Sequence, residues 1–182
     1  MRFSSHTKAG GIFAFMARAT PAAPTKPSPV EERTAQEVID RLGLVPNEEK
    51  GYFIETFRDP GASSSNSSSS SSRPLSTAIY YLLEGSAGPS VWHRVDAAEV
   101  WHYYAGAPLA LSLSRDDGGP PEDVVLGPDV FQDQRPQVVV AKGRWQRARS
   151  RGAWTLVGTT VAPGFVPEGV ELADPGWAPN RA

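Results

Sequence analysis

The stretch that decides the reading runs Val91-Trp92-His93-Arg94-Val95-Asp96-Ala97-Ala98-Glu99-Val100-Trp101-His102-Tyr103-Tyr104-Ala105-Gly106. Successive side chains of a strand point to opposite sides, so Val91, His93 and Val95 share one face while Trp92 and Arg94 take the other. After the Asp96-Ala97-Ala98 turn, Glu99, Trp101 and Tyr103 share a face, and His102 lies opposite with Val100 and Tyr104. If the apolar faces look inward, His93 and Glu99 meet inside. His102 then looks away unless a bulge re-aims it.

The same alternation recurs outward from this pair. Tyr52 to Phe57, Ala78 to Leu83, Leu109 to Leu113, Val124 to Leu126, Gln137 to Ala141, Arg144 to Ala148 and Trp154 to Val161 all read as short strands between Gly, Pro and Asp. With the first two, so many short strands in one chain predict a sandwich, barrel or jelly roll. One helix is expected over Thr34 to Leu42, where Thr34 and Glu37 stand as a capping box and Gly43 as a stop. The 17 Gly and 17 Pro among 182 residues agree with turns rather than long helices.

Composition excludes several classes. Without cysteine there is no disulfide framework, thiolate metal site or cysteine nucleophile. No apolar run reaches the ~20 residues of a membrane span, and a pI near 5.9 gives a nucleic-acid groove no electrostatic support. No Gly-x-Ser-x-Gly elbow or phosphate-cradling loop is present.

Residues 1–30 hold Arg2, Lys8, Arg18 and Lys26 and no acid, so the net charge of −2 becomes −6 once those four cations are set aside. This composition fits a transit peptide or a plain tail; the expected location is intracellular, cytoplasmic in the second case and organellar in the first. Residues 62–72 hold nine serines around Asn66, after Ala62, and read as an inserted loop. The expected organisation is a leader over 1–30, one domain over 31–175 interrupted at 62–72, and a tail over 176–182.

His93, Val95 two positions on, three further residues, Glu99, six more residues and Gly106 resemble the first motif of the cupin superfamily, which has the form H-x-H, three or four residues, E, six residues, G. Ala141-Lys142-Gly143-Arg144-Trp145-Gln146 echoes the second motif weakly. Gly51-Tyr52-Phe53-Ile54-Glu55-Thr56, Thr77 to Leu83, His93-Arg94, Glu99 to Gly106, Pro136 to Val140, Trp145-Gln146 and Val161 to Phe165 are together similar to the cupin-5 (DUF985) family. The resemblance spans about residues 34 to 172. It implies an all-β fold, a double-stranded β-helix (cupin jelly roll) with one short N-terminal helix. It also implies a homodimer and a pocket in the barrel mouth.

The chain departs from the metal-binding pattern of three His and one Glu. Val95 stands at the second His position and Gln146 at that of the second motif, leaving only His93 and Glu99. No cofactor is therefore expected; a divalent transition metal, if held, would use His93, Glu99 and Gln146. Without metal, His93 serves as a proton-transfer base with Glu99 hydrogen-bonded to it as orienter, and Tyr103 as the acid. A buried His–Glu pair that merely satisfies itself is the alternative reading of the same residues. Trp101, Gln137, Gln146 and His102 are candidate ligand contacts. Three functions follow: a metal-independent isomerase or epimerase on a sugar-like or carbonyl substrate, a non-catalytic metabolite-binding cupin, or a metal-dependent oxygenase. The expected partners are a small molecule and a second copy of the chain, with no nucleic acid and no membrane.

Overall fold

Thr34 caps the single helix as its sequence predicts. Its hydroxyl accepts a hydrogen bond from the Glu37 N–H at 3.3 Å, and the Glu37 carboxylate accepts from the Thr34 N–H at 2.9 Å. In the computed structural model, which describes residues 29–60 and 73–180, this helix is α1 (Ala35–Leu42), and Gly43 ends it at φ 66°, a left-handed conformation that suits glycine. The serine tract, and all but the last two residues of the leader, lie outside the described residues.

Twelve strands follow: β1 (Val45–Pro46), β2 (Tyr52–Arg58), β3 (Thr77–Glu84), β4 (His93–Val95), β5 (Ala98–Gly106), β6 (Leu109–Ser114), β7 (Glu122–Leu126), β8 (Gln134–Arg135), β9 (Gln137–Val140), β10 (Trp145–Ser150), β11 (Trp154–Ala162) and β12 (Val170–Leu172). Every strand expected from alternation is present. The additions β1, β8 and β12 have two or three residues, too few to show a period.

The strands form two six-stranded sheets, ordered β1-β2-β3-β11-β5-β9 and β12-β4-β10-β6-β7-β8. All pairs are antiparallel except β7 with β8. The architecture is an all-β jelly roll, and no helix among the described residues is long and apolar enough to cross a membrane.

Between the sheets, Leu83, Leu109, Leu111, Leu126, Val140 and Val157 fill one half of the interior with fully buried side chains. A second cluster lies under α1, where Val38 and Ile39 pack against Leu82, Ala105, Trp154 and Leu156 on the outer face of the first sheet. The two clusters require β5 to change its allegiance partway along. A bulge opposite Leu156 and Val157 pairs Leu156 with Ala105 and Val157 with Tyr103, so Tyr104 is the extra residue. Ala105 thereby joins the cluster under the helix, although plain alternation from Trp101 would have turned it inward.

The segment set apart by sequence as a tail is docked as far as Asn180. The Trp177 ring packs against Trp145 and Trp92 at centroid distances of 4.4 and 6.3 Å, and the Asn180 side chain accepts from the Gly118 N–H at 2.8 Å. Arg94, facing outward as expected, pairs with Glu171 at 2.6 Å and covers the Trp145 ring.

Candidate functional site

The half of the interior not filled by leucines is open. A cavity of about 550 Å³ lies between the sheets, walled by Phe53, Ile79, Tyr81 and Trp101 from the first sheet and by His93 and Val95 from the second. Glu99 and Thr159 also line it. The Pro46–Glu49 segment closes one side and Phe165 another. The alternation read from sequence thus places His93, Glu99 and Trp101 in one chamber, with 3%, 7% and 3% of their surfaces exposed.

A relay of side chains crosses from sheet to sheet beneath this chamber. The Trp101 indole N–H donates to Gln146 Oε1 at 2.9 Å, and Gln146 Nε2 donates to Glu99 Oε2 at 2.5 Å. Gln146 is buried on β10 beside His93, its neighbour in register. Both ends of its amide are therefore committed, which fixes the flip: the oxygen meets an N–H, and the nitrogen meets a carboxylate. A ligand in the cavity meets Glu99 and Trp101, with Gln146 behind them as a positioning residue.

His93 is held differently from the sequence expectation. Its Nδ1 lies 3.1 Å from the Val91 carbonyl and 3.5 Å from Glu49 Oε2, and among the described residues there is no hydrogen bond between His93 and Glu99. The inferred orienting pair is not formed: Glu99 accepts from Gln146, and His93 turns its Nδ1 to Val91 and Glu49. Both groups facing Nδ1 are acceptors, so a proton on Nδ1 satisfies them, and Nε2 has no hydrogen-bond partner among the described residues.

Glu49 was not among the residues that sequence singled out. It sits in the Asn47–Gly51 turn, where the Asn47 side chain accepts from the Glu49 N–H at 3.2 Å and the Tyr81 hydroxyl donates to the Lys50 carbonyl at 3.0 Å. A loop acid carries no periodic signal; only its Asn and Gly neighbours mark the turn. Desolvation holds the Glu49 carboxyl above the usual glutamate range, with Glu99 and Glu48 adding to the effect and His93 opposing it. A carboxyl raised in the folded state contributes most below its unfolded pKa and loses that contribution as pH climbs through the folded value. Glu49→Gln is thus expected to melt higher than wild type at about pH 7 and equally at about pH 4 or below. Thermal unfolding across pH checks this, and a gap independent of pH would refute it.

Tyr103 does not reach the chamber. It faces inward, as alternation requires, but lies four residues beyond Glu99, roughly 13 Å along the strand. There its hydroxyl donates to the Gly106 carbonyl at 2.6 Å, and burial with nearby Glu31 pushes its pKa up. The acid role given to it is corrected on that ground.

His102 and Gln137 are likewise away from the cavity. They pair across β5 and β9 on the outer face, where Gln137 Nε2 lies 3.4 Å from His102 Nδ1 and the imidazole stacks on Tyr104. Gln137 is exposed on the outer face of β9 while Gln146 is buried between the sheets, so the two do not face one ligand.

The metal donor set of His93, Glu99 and Gln146 does not fit an ion. The one donor atom of Gln146, Oε1, is occupied by the Trp101 N–H, and among the described residues no three His, Asp or Glu side chains converge on a point.

Two six-stranded sheets face to face, open at one end on a chamber bearing the first-motif His and Glu, define a cupin-type jelly roll. The family described as cupin superfamily (DUF985) matches residues 36–173, and the chain belongs to it. The X-ray structure of protein SO0799 from Shewanella oneidensis is 31% identical over 78% of this chain and 85% of that one, with a TM-score of 0.68. A hypothetical protein from Leishmania major is 29% identical over 76% and 86%, with a TM-score of 0.65. No curated protein matches.

Proposed function

We propose that the protein binds a small molecule in the chamber between its sheets, holding the apolar body against Trp101, Tyr81 and Phe53 and the polar end against Glu99, Glu49 and His93. The observation that carries this reading is the cavity itself. About 550 Å³, apolar walls and a few convergent polar groups are what a metabolite site needs. Thr159 lies in the wall, buried between Trp101 and Ile79, its register partners on the two flanking strands. A metabolite screen by thermal shift is expected to give ligands for wild type that Thr159→Phe loses. Ligands retained at full affinity by Thr159→Phe would place binding elsewhere and overturn the reading.

Metal-independent proton transfer on the bound molecule, of the isomerase or epimerase kind, is the second reading. The contact between His93 and Glu49 favours it, because it leaves Nε2 to act as a base on a ring whose other nitrogen touches a carboxyl that burial pushes up in pKa. Glu49 takes the place assigned by sequence to Tyr103. Incubation with each ligand in deuterated water tests this reading: exchange by wild type and none by His93→Gln is expected, and binding without exchange reduces the protein to a carrier.

A further inference from the structure

We propose that the ligand of this chamber is a small organic cation, an ammonium-type head on an apolar or aromatic body; the inference rests on the cavity being the binding site.

Charge is the first argument. Glu48, Glu49, Glu55 and Glu99 line the cavity, and Arg58 is the one Lys or Arg among its lining residues. That guanidinium is already spent: its Nε and Nη2 hold the two Glu55 oxygens at 2.8 and 2.6 Å, and its Nη1 donates to the Phe165 carbonyl. Lys50, next in chain to Glu49, turns its ammonium away to the Ala87 carbonyl at 3.1 Å. Among the described residues Glu49 has only His93 as a basic neighbour, and Glu99 has none.

One of the lining carboxylates is only half paired. Glu99 is more than nine-tenths buried, and Gln146 donates to one of its oxygens. The other, Oε1, has no partner among the described residues, yet it is not sealed from solvent-sized space, and the residue lines the cavity. A cationic donor reaching that oxygen would pair a carboxylate that no Lys or Arg among the described residues meets.

The second argument concerns the walls. Tyr81 and Trp101 meet edge to face, with centroids 6.1 Å apart and planes at 89°, and Phe53 and Phe165 complete an aromatic surround. Aromatic faces attract cations through the ring quadrupole, most strongly where water is excluded. They take an apolar body equally well. An anionic ligand would instead meet three carboxylates with no free guanidinium to offset them. The raised pKa of Glu49 comes first from its burial, with Glu99 and Glu48 adding to it.

The test compares three probes of one shape: phenethylammonium, neutral 2-phenylethanol and anionic phenylacetate, titrated into the full-length protein by calorimetry at about pH 7 and low salt. Phenethylammonium is expected to bind at least about tenfold more tightly than 2-phenylethanol, with no measurable binding of phenylacetate. Glu99→Gln is expected to lower the cation affinity about tenfold and leave 2-phenylethanol unchanged. This substitution keeps an oxygen to accept from Gln146, so the fold persists; Glu49→Gln serves as a second variant with the same expected direction. If 2-phenylethanol or phenylacetate binds as tightly as the cation, the inference is overturned while the cavity reading stands. If no probe binds wild type, the inference is overturned, and the cavity reading is decided by the Thr159→Phe screen.

Discussion

Gln146→Leu is expected to lower the free energy of unfolding by about 3 kcal/mol, although leucine matches glutamine in size and the site is fully buried. The loss has two parts. The Trp101 indole N–H loses its acceptor, and the Glu99 carboxylate loses the one donor that compensates its burial. Each orphaned neutral group costs about 1–3 kcal/mol and a charge costs more, while the added apolar contact of leucine returns a fraction. The same change frees Glu99 to swing, so ligand affinity in the chamber is expected to fall with stability. Denaturant melts and probe titrations on the one variant read both. A Gln146→Leu protein as stable as wild type would mean that the relay contributes nothing to holding the sheets.

Trp154→Ala is expected to cost about 4 kcal/mol, within the range for removing a buried aromatic side chain. The ring is 5% exposed between α1 and the first sheet, and its N–H donates to the Arg33 carbonyl at 2.9 Å, tying the segment before the helix to β11. It also lies over Gly106, whose φ of 85° and missing Cβ make room for it. Because the chamber lies on the other side of the sheet, Trp154→Ala is expected to keep ligand affinity while losing stability. Far-UV melts with ligand titration below the transition separate the two effects. A parallel loss of binding would show that the helix cluster supports the site directly.

The contrast between these substitutions shows what the sequence made legible. Alternation put His93, Glu99 and Trp101 on inward faces and His102 on an outward one, because a two-residue period is a property of the strand itself. Thr34, Glu37 and Gly43 announced the helix through local hydrogen bonding and backbone conformation, which also need no tertiary information. Depth along a strand has no such signature. Tyr103 was rightly faced and wrongly placed, since which half of the interior stays open depends on the leucines of β6 and the far ends of β3 and β11. Glu49 was missed for the complementary reason: a turn residue shows its chemistry only once the fold brings it against His93. The docking of Trp177 left no local signal because it depends on Trp92 and Trp145, which are far from it in sequence.

The bulge in β5 also bears on how the chain avoids pairing wrongly. In a plain alternating strand, a slip of two residues against its neighbour leaves every side chain on its own face, so such misregistered pairings compete with the native one. Here the strand reverses its inside–outside pattern at Tyr104. A two-residue slip of β5 along β11 therefore drags either Tyr103 or Ala105 across the reversal and strands it on the wrong face. One extra residue ties the alignment of these two neighbouring strands of the first sheet to the interior and the helix cluster together.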